Sequence, residues 1–423
     1  MDGARSLLRG GWALLALALV LRVVQILATR HWVPVSDPAD YVRQALSIAH
    51  THAMAPSLVA HGGPSAIRPP AYPYFLGGVF ALSGDSLTAG RLASALLGVA
   101  AVALAGLVAQ LLWGRRAGLV ALAIAAVYPP FVLLSGTLLS ESLALPIVLA
   151  LLALVIAHRT EPRPRWVAPV AGLLFALALL DRPALVMFGL PLLVCLWGRP
   201  WRTWRAMRAP LIALVVAAVA IVPWTIRNAH DFHAFVPIST QSGFLLAGTY
   251  NEVSQHDPRD PGAYRPATFA PSLRPILSDP SLDENQMSRK LSKAGRDYAT
   301  DHPGYVPEVF GLNGLRLLGL YTPLRGAKAA YLFQGIGPHY ATVALVGWYV
   351  LALLAIAGLV RGARRMPWWM LVTPVLLYVS VIGISGDIRY RAPVELFAVW
   401  AAALALTGTR RAQPQQPTTP LPR

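Results

Sequence analysis

The stretch GWALLALALVLRVVQILATRHWVPVSDPADYVRQA, residues 11–45, decides the fold class. It opens with an apolar run of about the length that crosses a roughly 30 Å hydrocarbon core as a helix. Two carboxylates, Asp37 and Asp40, follow this run in a chain that has only 19 Asp and Glu residues. The pattern indicates a membrane protein that places scarce acids just outside its first span.

The composition agrees with a membrane location. The chain has 423 residues, of which 56% are hydrophobic and 13% charged, whereas soluble domains are roughly 45–50% apolar. Similar apolar runs recur, and a span must be helical because backbone groups in lipid have to pair within the segment. We therefore predict an all-α polytopic membrane protein with about ten transmembrane helices, near residues 11–29, 88–113, 117–135, 139–157, 166–180, 183–197, 209–226, 340–360, 367–385 and 393–408.

The net charge of +17 is distributed unevenly between the two sides of the membrane. The segments expected in the cytoplasm contain many arginines but only Asp2 and Glu161 as acids, and the opposite side is nearly balanced. This is the positive-inside bias, which sets topology. It predicts a multi-pass protein of the inner (plasma) membrane with both termini cytoplasmic, and it argues against nucleic-acid binding.

The spans divide the chain into modules. A first outer loop, with a short helix expected at its RPPAYPYFLGG end, lies within an N-terminal transmembrane module. In the larger outer region, Ser281 and Glu284 form a capping-box pattern that predicts a helix over 281–300, and a second helix is expected over 305–320. The modules are an N-terminal transmembrane module 1–226 containing the first outer loop 30–87, an extracytoplasmic region 227–339, a C-terminal transmembrane module 340–409 and a disordered tail 410–423.

Ionisable side chains beside spans are costly and often functional. Those that the predicted topology brings to one outer interface are Asp37, Asp40, Arg68, Glu141, Asp181, Arg182, Arg227 and the segment GDIRYRAPVE at 386–395. Arginine suits phosphate oxygens, and carboxylates suit a general base or a divalent metal. A lipid-linked phosphate is the substrate that fits this depth. We assign no metal ligands, and the sequence requires no cofactor, although a divalent metal is compatible with the acids.

Structural explanations for these residues stay open. Asp37 or Asp40 could cap the helix that follows, and Glu141 could be a solvated loop residue. Asp181 and Arg182 could simply end a helical hairpin. The arginines before the last span could be anchors on lipid headgroups.

Short motifs occur in a characteristic order along most of the chain. They are SDPADYVRQA (36–45), RPPAYPYFL (68–76), GRLASALLG (90–98), LLSESLALP (138–146), DRPALVMFGLP (181–191), VPWTIRN (222–228), HPGYVPEVF (302–310) and RYRAPVELFAVWAAA (389–403). In this order the chain resembles the GT-C membrane glycosyltransferases, specifically the protein O-mannosyltransferase and aminoarabinose-transferase-like group, glycosyltransferase family 39 and its bacterial relatives.

The resemblance implies transfer of a sugar from a polyprenyl-phosphate donor to an acceptor hydroxyl on the extracytoplasmic face. Asp37 matches the catalytic base, and Glu141 matches a second acidic position that would orient Asp37 or hold a metal. Arg389 and Arg391 match a basic motif near the lipid phosphate. Pro38 and Ala39 separate the acids where relatives often have adjacent Asp-Glu, which leaves open whether Asp37 or Asp40 is the base.

The remaining candidates are assigned to substrate binding. We expect these residues to be Asp40, Arg68, Tyr72, Arg182, Arg227, Arg389 and Arg391. The expected partners are the lipid-linked donor, a glycan, lipid or protein acceptor, and membrane lipids. Two other functions stay open. A lipid or solute transporter or flippase also places charges around a cavity, although no paired broken helices of the transporter type are evident. A lipid-linked glycan ligase would need an oligosaccharide donor.

Overall fold

The computed structural model describes residues 2–160, 164–198, 200 and 202–408. Within these ranges all regular structure is helical, which confirms the predicted all-α class. The predicted disordered tail, 410–423, lies outside the described residues.

The α-helices follow the predicted division of the chain. The N-terminal part contains α1 (Asp2–Ala28), α2 (Ser36–Thr51), α3 (Ala71–Ser83), α4 (Leu87–Trp113), α5 (Arg115–Val127), α6 (Pro129–Leu134), α7 (Glu141–Thr160), α8 (Val167–Asp181), α9 (Gly189–Leu196) and α10 (Trp204–Phe232). The outer region contains α11 (Gln241–Thr249), α12 (Glu252–Gln255), α13 (Arg274–Leu277), α14 (Glu284–Asp301), α15 (Tyr305–Leu317) and α16 (Pro323–Phe333). The C-terminal part contains α17 (Tyr340–Gly362), α18 (Trp368–Ile382) and α19 (Ala392–Thr407).

Five helices of the described chain, α1, α4, α7, α10 and α17, are long and apolar enough to cross a membrane. Shorter apolar helices cover α8, residues 183–196 and α18. The span expected at 117–135 is interrupted between α5 and α6 by Pro129 and Pro130, because proline lacks the N–H of a continuous helix. The number of ten spans stays a prediction, and so do the module boundaries.

Arg22 is a buried charge in the first span. It is 1% exposed, and its guanidinium donates to Ser135 Oγ and to the carbonyl of Ala18, both at 3.0 Å. It also reaches the carbonyl of Ala126 at 3.5 Å. Two of the three acceptors of this arginine therefore come from α5 and from the loop before α7, and the third comes from α1 itself.

Close backbone packing holds α19 in the centre of the bundle. Trp400 is fully buried, and its indole N–H donates to the carbonyl of Ala105 in α4 at 3.0 Å. A Cβ on Gly358 of α17 would lie 1.8 Å from the carbonyl oxygen of Ala401. Small residues are typical of helix contacts in membranes because they let backbones approach. The contact therefore holds the C-terminal part of α19 tightly against α17.

The outer region is attached to the first outer loop by Glu284. This carboxylate is fully buried and accepts hydrogen bonds from Ser57, Ser65, Thr240 and the backbone N–H of Ala66 at 2.6–2.8 Å. Glu284 therefore holds both loops in one unit.

The predicted capping box at Ser281 and Glu284 is wrong by two residues. Asp283 is the N-cap of α14, and Gln286 completes the reciprocal pair. Ser281 instead donates to Asp279 at 2.6 Å, and Glu284 is drawn into its buried network. The second expected helix, 305–320, is α15 and ends at Leu317.

We predict that Gly358→Ala destabilises the bundle by about 1–3 kcal/mol, because overpacking forces helices apart. Thermal unfolding in detergent, followed by the loss of monodisperse protein, measures the effect. Gly362→Ala in the same helix is the control, since its nearest neighbour is a Leu404 side-chain atom at 3.6 Å. Equal melting of the two variants would contradict the close contact.

Candidate active site

A cavity of about 220 Å³ lies where the first outer loop, the start of α7, the end of α8 and the loop before α19 meet. Charged and aromatic groups share its wall with apolar residues of α18. The polar lining consists of Asp37, Tyr41, Arg68, Ser140, Glu141, Asp181, Arg182, Ser239, Gln241, Ser242, Ser380, Arg389 and Tyr390. Residues far apart in sequence therefore converge, as the predicted common interface requires.

Asp37 occupies the first turn of α2 without capping it. The N-cap is Val35, which makes no side-chain cap. Arg68 donates to one oxygen of Asp37 at 2.5 Å, and Arg389 donates to the other. The acid thus joins the first outer loop to the loop before the last helix.

Asp40 lies one turn further along α2 and has a different environment. It accepts from Arg68 Nε at 2.7 Å and pairs with Arg43 at 3.0 Å. Arg68 therefore bridges both acids, but only Asp37 lines the cavity. This placement favours Asp37 over Asp40 as the acid that meets a substrate.

The two arginines determine the charge of Asp37. Burial alone would raise the pKa of this carboxyl, but Arg389 and Arg68 outweigh burial and hold its pKa well below the usual range. Burial alone would lower the pKa of Arg68, but the negative charge of Asp37 outweighs burial and raises this pKa. The cluster is therefore a set of permanent ions in the free protein.

Glu141 is not a solvated loop residue, because it is 1% exposed. Arg182 Nη1 lies 2.5 Å from Glu141 Oε1 and donates to Ser140 Oγ at 3.1 Å. Glu141 opens α7, where the positive end of the helix dipole favours an acid. Glu141 forms an ion pair with Arg182. It therefore orients an arginine of the cavity and not the carboxylate of Asp37.

The aromatic ring of Tyr390 separates two of the arginines. The guanidinium of Arg389 lies 4.8 Å from its centroid and that of Arg182 lies 5.1 Å away. Asp387 caps the short turn Ile388–Arg391 by accepting from the backbone N–H of Arg389 at 3.0 Å. Like Asp181, Tyr390 was not among the predicted site residues, and its only signal was its place between two arginines.

Arg391 points away from the cavity. It donates to Glu395 at 2.6 Å and to the carbonyl of Leu317 at 2.9 Å, and it stacks on Trp348 at 3.9 Å. All of these contacts are within the protein. Arg391 therefore anchors α19, while Arg389 faces the cavity.

Arg227 and Tyr72 also lie outside the cavity lining. Arg227 donates to the carbonyl of Ser65 at 2.9 Å and pairs with Asp231 at 3.0 Å. Tyr72 is fully buried and packs edge-on against Tyr41, with ring centroids 5.1 Å apart. Both residues support the walls of the site.

Asp181, which the sequence places with the other ionisable residues at the outer interface, lines the cavity as the last residue of α8. It is 1% exposed. Neither of its carboxylate oxygens has a hydrogen-bond partner among the described residues. An acid at the end of an apolar run was the signal in the sequence.

The described residues contain no group of three His, Cys, Asp or Glu side chains that could hold a metal ion. The carboxylates of Asp37 and Glu141 each face an arginine. A divalent cation would have to displace these arginines, so the donor set fits a metal poorly.

Residues 67–226 match the family model described as dolichyl-phosphate-mannose-protein mannosyltransferase. No curated protein matches the chain. The matched segment includes Arg68, Glu141, Asp181 and Arg182 of the cavity, whereas Asp37 and Arg389 lie outside it.

Solved structures extend the likeness along the chain. The oligosaccharyltransferase AglB from the archaeon Archaeoglobus fulgidus, in complex with an inhibitory peptide and a dolichol-phosphate, aligns with a TM-score of 0.56 at 16% identity, over 94% of this chain and 50% of that chain. Its apo form aligns with a TM-score of 0.57 at 14% identity, over 93% of this chain and 50% of that chain. The chain thus spans about half the length of these structures.

ArnT from Cupriavidus metallidurans in the apo state aligns with a TM-score of 0.44 at 14% identity, over 95% of this chain and 78% of that chain. This score is too low to carry an argument. The resemblance to GT-C glycosyltransferases is confirmed by the family model and by the fold shared with AglB.

We predict that Arg182→Met lowers stability by about 3–5 kcal/mol, because it leaves Glu141 buried without a countercharge. The added substitution Glu141→Gln should recover part of the loss, which a double-mutant cycle of thermal unfolding measures. Arg43→Met is the control, since Arg43 and its ion pair with Asp40 are partly exposed. If the stability losses of Arg182→Met and Glu141→Gln simply add up in the double variant, the pairing of Arg182 with Glu141 is excluded.

Proposed function

We propose that this protein is a membrane glycosyltransferase that moves a hexose or pentose from a polyprenyl-phosphate donor to an acceptor hydroxyl, with inversion. The observation that carries the proposal is the cluster of Arg68, Arg182 and Arg389 around one cavity with Asp37. The cavity opens on the extracytoplasmic face in the topology that the charge bias indicates, with both termini in the cytoplasm. The protein itself is located in the inner (plasma) membrane.

The three arginines provide the donor phosphate site. A guanidinium binds phosphate oxygens in a fork, and it stays charged when buried. Leu377 and Val381 of α18 and Ile384 just after it line the same cavity as Arg389. These apolar residues suit the first isoprene units of the lipid. The phosphate binds at Arg389 and the polyprenyl chain follows α18.

Asp37 is the base in this mechanism. In the free protein its low pKa makes it a weak proton acceptor. The donor phosphate competes for Arg389 and Arg68, and each guanidinium that turns to the phosphate raises the pKa of Asp37. Donor binding therefore activates the base before the acceptor reacts.

The reaction is a single displacement. The acceptor oxygen forms a bond to the anomeric carbon as the bond from that carbon to the phosphate oxygen breaks. The electron pair of the broken bond goes to the phosphate, where the arginines stabilise the charge. Asp37 takes the proton of the acceptor hydroxyl. Glu141 holds Arg182 in place, and no nucleotide is consumed.

The outer region supplies the acceptor side. The cavity is lined on this side by Ser239, just before α11, and by Gln241, Ser242 and Leu245 of α11. Glu284 fixes this segment to the first outer loop. An acceptor hydroxyl carried by a glycan, lipid or protein enters between the two loops.

We predict that Asp37→Asn lowers sugar transfer by about 10²–10⁴-fold, the usual contribution of a general base. Asp40→Asn is the matched control, because Asp40 contacts Arg68 without lining the cavity, and its loss should be smaller. Membranes with equal amounts of each protein are supplied with single radiolabelled polyprenyl-phosphate sugars, and label on the acceptor fraction is counted.

Normal transfer by folded Asp37→Asn would reject this residue as the base. Transfer only from a lipid-linked oligosaccharide would favour the glycan ligase. Movement of labelled lipid across the bilayer without transfer would favour the flippase.

We predict that Arg389→Ala raises the KM for the donor by about 10–100-fold, because hydrogen bonds to charged groups contribute about 1.5–3 kcal/mol. Arg389 lowers the pKa of Asp37, so its removal raises that pKa. The acidic limb of the kcat/KM profile, which reports the free enzyme, should therefore move to higher pH. Arg43→Ala should leave the limb in place, and an unmoved limb in Arg389→Ala would contradict the coupling.

A further inference from the structure

Asp181 stands where an acid is least favourable for folding. It is the last residue of α8, and the C-terminal end of a helix carries partial negative charge that disfavours a carboxylate. Its side chain is buried, and a buried acid without a partner costs free energy. No hydrogen bond from the described residues to its carboxyl oxygens offsets this cost.

The cations near Asp181 are engaged elsewhere. Arg182 faces Glu141 and Ser140, while Arg68 and Arg389 donate to Asp37. Both oxygens of Asp181 lack a hydrogen-bond partner among the described residues. Most buried polar atoms in proteins have a partner. Since Asp181 lines the cavity, its partner is a ligand that enters there.

We propose that Asp181 binds hydroxyl groups of the donor sugar and determines which sugar is transferred. This inference rests on the proposed function. The arginines take the phosphate, and the sugar is the group attached directly to it, so the sugar occupies the remaining wall of the same cavity. The two oxygens of a carboxyl group can bind two neighbouring hydroxyls. Asp181 is therefore a specificity-determining residue.

A set of donors tests this assignment. Polyprenyl-phosphate hexoses and pentoses identify the sugar that the wild-type protein transfers, and monodeoxy analogues of that donor then each lack one hydroxyl. We expect one or two adjacent deoxy positions to lower kcat/KM by about 10–100-fold in the wild type, because leaving a buried polar group of Asp181 unsatisfied costs about 1–3 kcal/mol. In Asp181→Ala, kcat/KM for the parent donor should fall by the same factor. Removing the same hydroxyls from the donor should then lower kcat/KM no further.

The control is Asp297→Ala, an exposed acid on α14 that pairs with Lys293. It should keep the wild-type ratios for every analogue. If Asp181→Ala shows the same deoxy losses as the wild type, the proposal is overturned. No transfer by wild-type protein from any donor would instead reject the proposed function itself.

Stability gives an independent readout. Because Asp181 makes no side-chain hydrogen bond among the described residues and opposes the helix dipole, Asp181→Ala should melt at the wild-type temperature or above it. Asp181→Asn, which keeps the size of the side chain and can still bind hydroxyls, should retain more transfer than Asp181→Ala. A large loss of thermal stability in both variants would show that Asp181 has a structural role and would overturn the assignment.

Discussion

Buried charges beside a membrane must be compensated within the protein, and this constraint organises the structure. Asp37 meets it by accepting from Arg68 in its own loop and from Arg389, which is 352 residues away. This one carboxylate therefore joins the first outer loop to the loop before the last helix. The cavity exists because these two parts of the chain are held at a common centre.

The parts of the site that depend on packing differ from the parts that depend on charge. Gly358 lets α17 approach α19 closely at Ala401, while Arg391 holds the start of α19 by donating to the carbonyl of Leu317. Glu284 accepts hydrogen bonds from Ser57 in the first outer loop and from Thr240 in the outer region, and so holds the two loops together. These contacts lie outside the cavity and add to the ion pairs that hold its walls together.

Much of the architecture could be predicted from the sequence because apolar runs and charge bias are local signals. The convergence of Asp37, Glu141 and Arg389 followed from alternating topology alone. The direction of each side chain could not be predicted, since it depends on tertiary partners. Arg389 and Arg391 are two residues apart, yet Arg391 pairs with Glu395 in the core, whereas Arg389 pairs with Asp37 at the cavity. The N-cap Asp283 was not predicted for the same reason. Glu284 accepts hydrogen bonds from residues far away in the sequence instead of forming a capping box with Ser281.

The burial of Arg22 bears on how the chain enters the membrane during synthesis. An arginine near the centre of a span opposes insertion by about 2.5–3.5 kcal/mol on insertion scales. Its side-chain and distant backbone acceptors, Ser135 and Ala126, are 113 and 104 residues further along the chain. Arg22 therefore reaches these two partners only after α5 and α6 have been made. The compensation of the charge in the first span depends in this way on chain that is synthesised later.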